Sequence, residues 1–120
     1  MLYFDHAATT PIRPEVIGAM QPWLAEGFGN PSSLYSLGRH ARLAIDTARE
    51  AVAGALGCEF GEAIFTSGGT EAVVLGIVGT ALAAHGTPRH RILMSKAEHP
   101  CALGTQEALS KLGFVVDWID

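Results

Sequence analysis

Ser67-Gly68-Gly69-Thr70 is the stretch of this sequence best equipped to hold an anion. It stands between a short apolar run and a long apolar segment, where a strand should turn into a helix. At a helix N-terminus the first backbone N–H groups have no partner within the helix, and the dipole is positive. Glycines let a ligand come close to the backbone, and Ser67 and Thr70 add hydroxyl donors. Together these make a phosphate cradle. The same residues also suit an ordinary capped helix start, with Glu71 as a first-turn acid. No lysine follows the glycines and no GxGxxG is present, so neither a Walker loop nor a dinucleotide fingerprint is written here.

A second candidate is Ala97-Glu98-His99-Pro100, just past the next expected strand. In a parallel sheet the C-terminal ends of the strands share one edge, and ligand sites gather there. His99 would then sit on the same side as the Gly68-Gly69 turn. An imidazole in that position can stack on a flat ring or shuttle a proton. The plainer reading is a loop histidine that caps the helix opened by Pro100. Two further loops, Asp5–Pro11 and Gly27–Ser33, are small and polar enough to line a site.

The elements that would position these residues alternate after an irregular start. Pro14 opens a helix predicted to run to about Ala25, with Val16, Ile17, Met20, Trp23 and Leu24 at helical spacing and Pro22 bending or weakening it. A long helix is predicted from about Gly38 to Leu56, with the apolar stripe Ala41, Ile45, Ala48, Val52 and Leu56 and a stop at Gly57. Arg42 and Asp46 stand one turn apart on it and can pair weakly. Glu62–Thr66 reads as a buried strand. The helix from about Glu71 to Ala84 is apolar on nearly all sides and so predicted to be buried. Arg91–Met94 is a strand, Pro100 opens a helix ending near Leu112-Gly113, and Phe114–Ile119 is a last strand. From Glu62 the order is β-α-β-α-β, which implies parallel strands in an α/β sheet. The chain stops at Asp120 directly after a strand, which points to a truncated or split chain.

The 120 residues are one ordinary domain in size, with apolar content for a packed core. A formal net charge of −4 argues against binding nucleic acid, because no basic excess is available to neutralise phosphates. Cys58 and Cys101 are far apart and lack metal-site spacing, so no disulfide framework, zinc site or other metal site is expected. Free thiols fit a reducing compartment. No signal peptide or membrane span is written, and a soluble, cytoplasmic protein is expected.

Four segments resemble cysteine desulfurases of the NifS/IscS type, in family order and near family spacing. They are Tyr3-Phe4-Asp5-His6-Ala7-Ala8-Thr9-Thr10-Pro11, Phe28-Gly29-Asn30-Pro31-Ser32-Ser33, Phe65-Thr66-Ser67-Gly68-Gly69-Thr70-Glu71-Ala72 and Glu98-His99-Pro100. Leu112–Val116 is similar to the family's next strand. The resemblance spans the whole chain, which corresponds to roughly the first third of a family member. It implies the class V aminotransferase fold, with residues 1–60 as N-terminal loops and helices and 61–120 as the start of the α/β domain that holds pyridoxal 5′-phosphate (PLP). It implies a homodimer that converts L-cysteine to L-alanine and passes the sulfur, through an enzyme persulfide, to an acceptor or scaffold protein for iron–sulfur clusters or other thio-cofactors. By position, Gly69 and Thr70 match residues that bind the PLP phosphate. His99 matches the histidine that stacks on the pyridine ring and helps proton transfer. Ala8 and Thr9 match a small-residue loop near the substrate.

The sequence also departs from that pattern. The family's Schiff-base lysine, its pyridine-pairing aspartate, its persulfide cysteine and its substrate-binding arginine all lie downstream. Lys96 and Lys111 match none of these, so the isolated chain is expected to be inactive. Cys58 reads as a small apolar residue. Cys101 stands where the family usually has an apolar residue, and Val74 where it commonly has asparagine. A selenocysteine lyase or other class V PLP enzyme, or a degenerate non-catalytic module, are the alternative readings.

Overall fold

The computed structural model describes residues 2–120, which divide into two compact units between Ile64 and Phe65. The first holds helices α1 (Pro14–Leu24) and α2 (Ser36–Leu56) and a single 3-10 turn, Phe60–Glu62. Pro14 occupies the start of α1, where its missing N–H costs nothing. Pro22 cannot bond back to the preceding turn, and the helix ends two residues later at Leu24. No residue of α1 is buried. Trp23 stacks on His40 of α2, with ring centroids 5.2 Å apart and planes 26° from parallel.

The buried face of α2 is rotated from the predicted stripe. Ala41 is buried and Ile45 half-buried as expected, but Ala48, Val52 and Leu56 are exposed, and the face continues through Arg49 and Ala53 instead. Two contacts set this rotation. At Gly38 an added Cβ would lie 2.4 Å from the Ser33 carbonyl oxygen and 2.6 Å from that of Asn30, so only glycine lets the loop lie on the helix there. Farther along, Arg49 donates from Nε to the Ala63 carbonyl (3.0 Å), and its guanidinium lies over the Phe60 ring, 5.1 Å from the centroid. Asp46 anchors this arginine at 2.9 Å and also accepts from Arg42 Nε at 2.7 Å, the pair expected from the sequence. Gly57 ends α2 in the left-handed conformation (φ 68°), as predicted.

Residues 62–66 do not form the predicted strand. Glu62 closes the 3-10 turn, in which Glu59 N–H donates to the Glu62 carboxylate at 2.8 Å, and no ladder follows. Ala63 is extended (φ −86°, ψ 107°), but extended backbone becomes a strand only when a neighbour completes its hydrogen bonds. Among the described residues the sheet consists of two strands from elsewhere in the chain, so 62–66 joins no ladder, and Ile64 and Phe65 are exposed rather than buried.

The second unit contains α3 (Gly69–Ala84), β1 (Arg91–Ser95), α4 (Pro100–Leu103), α5 (Gln106–Lys111) and β2 (Val115–Ile119). Its two strands pair in parallel, with Arg91 opposite Val115 and Ser95 opposite Ile119. The expected β-α-β-α-β order is therefore realised as α-β-α-α-β. Arg91 reaches across the pair to both carboxylate oxygens of Asp117 at 2.8 and 2.9 Å. The core forms around Ala81, Met94, Leu109 and Phe114, with Ile77 and Trp118 packed against it.

Two further expectations change here. Only Ala81 of α3 is buried, while Val73, Leu75 and Leu82 are exposed, because α4 and α5 cover just one side of it. The helix opened by Pro100 is split at Gly104-Thr105. There the Thr105 N–H bonds the Ala102 carbonyl three residues back, at 3.0 Å, and the Thr105 hydroxyl takes the same oxygen at 2.6 Å. Gly113 (φ 86°) then turns the chain into β2. No helix among the described residues is long and apolar enough to cross a membrane.

Candidate functional site

Gly69 and Thr70 are the first two residues of α3, so their N–H groups lie ahead of the helix's own ladder. The first such bond runs from the Ala72 N–H to the Gly68 carbonyl, at 3.1 Å. Gly68 is fully extended (φ 168°, ψ 179°), a conformation open to any residue. Neither Gly68 nor Gly69 is held to glycine by its neighbours, since a Cβ at either would meet nothing within 4 Å. What the two glycines provide is open room beside unpaired N–H groups at the positive end of a sixteen-residue helix. That arrangement fits the phosphate of a bound group.

Glu71 completes the turn from the opposite side. Its Oε2 accepts both the backbone N–H and the hydroxyl of Ser67, each at 2.6 Å. The Ser67 hydroxyl, followed by the Ser67 N–H, holds this carboxyl below its ordinary pKa. The first-turn acid of the plainer reading is present, although Gly68 at the N-cap supplies no side-chain cap. The Ser67–Glu71 pair closes the helix start, and the glycine face remains accessible.

His99 is the N-cap residue of α4, in extended conformation (φ −60°, ψ 145°). Its Nδ1 accepts the Cys101 N–H at 3.2 Å and also lies 3.0 Å from Cys101 Sγ. The capping role is therefore realised, and the ring's other nitrogen, Nε2, is left for further chemistry. Cys101 is a half-buried free thiol whose contact with His99 the sequence reading missed. The signal for it was local, since a proline at the first helical position makes the next residue's N–H the first one a cap can bond. Cys58, also free and half-buried, follows the α2 stop and donates its N–H to the Ala53 carbonyl.

Gly69, Thr70 and His99 belong to one unit, in which α3 packs against α4. A hollow of about 300 Å³ in that unit is lined by Lys96, Leu103, Gln106 and Trp118 instead. Ala8 and Thr9 belong to the other unit. Their N–H groups both turn back to the Asp5 carbonyl, at 3.1 and 3.4 Å. The Tyr3 hydroxyl closes this turn by donating to the carbonyls of Asp5 (2.7 Å) and Thr9 (3.3 Å). Lys96 is paired with Asp120, and Lys111 with Glu107.

The parallel strand pair, the glycine-rich helix start and the histidine beyond β1 together fit one class of protein. The chain belongs to the aminotransferase class-V family, whose model matches residues 2–120. It is 48% identical over 98% of its length to the "Cysteine desulfurase IscS" of Dictyoglomus turgidum, and 46% identical over 99% to the "Putative cysteine desulfurase IscS 1" of Bacillus subtilis. It spans 30% and 31% of the lengths of those relatives. Among solved structures it resembles one described as "SspA in complex with cysteine", with a TM-score of 0.85 and 37% identity. A "NIFS-like protein" gives a TM-score of 0.87 and 35% identity. Each match covers 98% of this chain and about a third of the other.

Proposed function

We propose that this chain is the N-terminal part of a PLP-dependent cysteine desulfurase. In this reading L-cysteine is converted to L-alanine, and the sulfur passes through an enzyme persulfide to an acceptor or scaffold protein. The observation that carries the reading is 48% identity, over nearly the whole chain, to a protein named for that activity. The solved structure described as "SspA in complex with cysteine", which this chain resembles, supports the choice of substrate.

PLP, when bound, supplies the electron sink for bond-breaking at the amino acid. The chain's own residues would hold and orient it. The N–H groups of Gly69 and Thr70 and the Thr70 hydroxyl take its phosphate, assisted by the α3 dipole. His99 would help to hold the cofactor with its ring and would move a proton at Nε2. The Asp5–Pro11 turn, through Ala8 and Thr9, lines the substrate side. A lysine, a persulfide cysteine and a carboxylate-binding arginine are required from a region beyond these residues. The working form is a cytoplasmic homodimer supplying iron–sulfur or other thio-cofactor synthesis.

The test is an assay of the full-length protein carrying this chain, with L-cysteine and L-selenocysteine offered separately. With a dithiol reductant added to release the persulfide sulfur as sulfide, alanine and sulfide in equal amounts from cysteine are expected. Turnover of selenocysteine alone would replace the desulfurase by a lyase, and turnover of neither would leave a non-catalytic relative.

A further inference from the structure

We propose that Cys101 is a positioning residue for His99, holding its imidazole in the tautomer that carries the proton on Nε2. The proposal deepens the functional reading above, in which His99 moves a proton.

The assignment follows from which group can donate. A backbone N–H is only ever a donor, and that of Cys101 lies 3.2 Å from His99 Nδ1. Nδ1 therefore accepts, and in the neutral ring the proton resides on Nε2. Cys101 Sγ stands 3.0 Å from the same nitrogen. With Nδ1 an acceptor, the thiol S–H must be the donor in that contact. One residue thus directs two donors at one lone pair.

Pro100 makes this possible. As the first helical residue it has no N–H to offer, so the cap reaches the N–H of Cys101, whose side chain then falls beside the ring. The usual orienting partner of a functional histidine is a carbonyl or carboxylate that accepts from one nitrogen and leaves the other as a base. Here the polarity is reversed. Donors occupy Nδ1, so the ring presents Nε2–H and rests as a proton donor toward whatever group faces it. An alanine at position 101 would keep the backbone donor and lose the second.

The experiment is long-range ¹H–¹⁵N NMR on the 120-residue chain with labelled histidine, at about pH 7.5, where imidazole is ordinarily mostly neutral and a thiol still mostly protonated. His99 is identified among the five histidines by the signals lost in His99→Gln. The wild type is expected to show a protonated Nε2 and an unprotonated Nδ1. Cys101→Ala should raise the Nδ1–H tautomer about two- to tenfold, the range expected for one lost hydrogen bond. Cys101→Ser, which keeps a donor, should restore the wild-type pattern. A wild-type Nδ1–H signature, an unchanged alanine variant, or a serine variant that behaves like alanine would each overturn the proposal. Unchanged signals from the other four histidines show that the variants fold. The readout needs neither cofactor nor turnover, so it stands or falls separately from the desulfurase assay.

Discussion

Glu71 and His99 are the two residues whose chemistry is most exposed to test. The Ser67 hydroxyl and N–H stabilise the Glu71 carboxylate in the folded state, so its pKa is lowered on folding. A lowered carboxyl pKa contributes stability that is complete above the unfolded value and is lost as pH falls through the folded one. The melting temperature is therefore expected to fall more steeply in the wild type than in Glu71→Gln between about pH 5 and pH 3. Parallel curves for the two proteins would show that the Ser67 contacts do not stabilise the charge. For His99 the capping and chemical roles separate by substitution in the full-length enzyme. Both His99→Phe and His99→Ala lose the cap, at about 0.5–2 kcal/mol. Both should lose turnover by about 10²–10⁴-fold if Nε2 moves a proton. Phenylalanine keeps a flat ring and should retain more PLP than alanine. Lower melting temperatures with near-normal single-turnover rates would leave His99 as a cap alone.

At the scale of elements, the start of α3 carries the strongest expectation. Gly69 has room for a side chain within the protein, so Gly69→Val should leave folding nearly intact while blocking approach to the backbone. Thr70→Ser keeps the hydroxyl and should be milder. Each charge-assisted hydrogen bond to phosphate is worth about 1.5–3 kcal/mol. PLP affinity of the full-length enzyme, measured by titration against both variants, decides it. An unchanged affinity in the valine variant would place the phosphate elsewhere.

At the scale of the molecule, the question is whether 120 residues retain the cofactor. Lys96 and Lys111 are both engaged with carboxylates. Weak or absent PLP binding is expected from the isolated chain. Absorbance titration with borohydride trapping should yield no stoichiometric adduct, and a unique reduced lysine would reverse this view. The apolar surface of α3 and the unburied face of α1 belong to the same scale. Their side chains are core-like in composition, but the described residues do not cover them.

Wherever the governing interaction is local, the residue types alone were sufficient. Pro14 starts α1, Gly57 stops α2 with a positive φ, and Pro100 opens α4 under a His99 cap, because each depends on one residue's own backbone and its nearest neighbours. The start of α3 just after Gly68 was legible for the same reason. Only the tertiary structure decided which faces are buried and which extended segments become strands. The α2 face turned to Arg49 and Ala53 because the Asn30–Ser33 loop packs onto Gly38 and the Phe60 ring receives a guanidinium. Residues 62–66 stayed outside the sheet because a strand is a property of two segments, and hydrophobicity in one cannot supply the hydrogen bonds of the other.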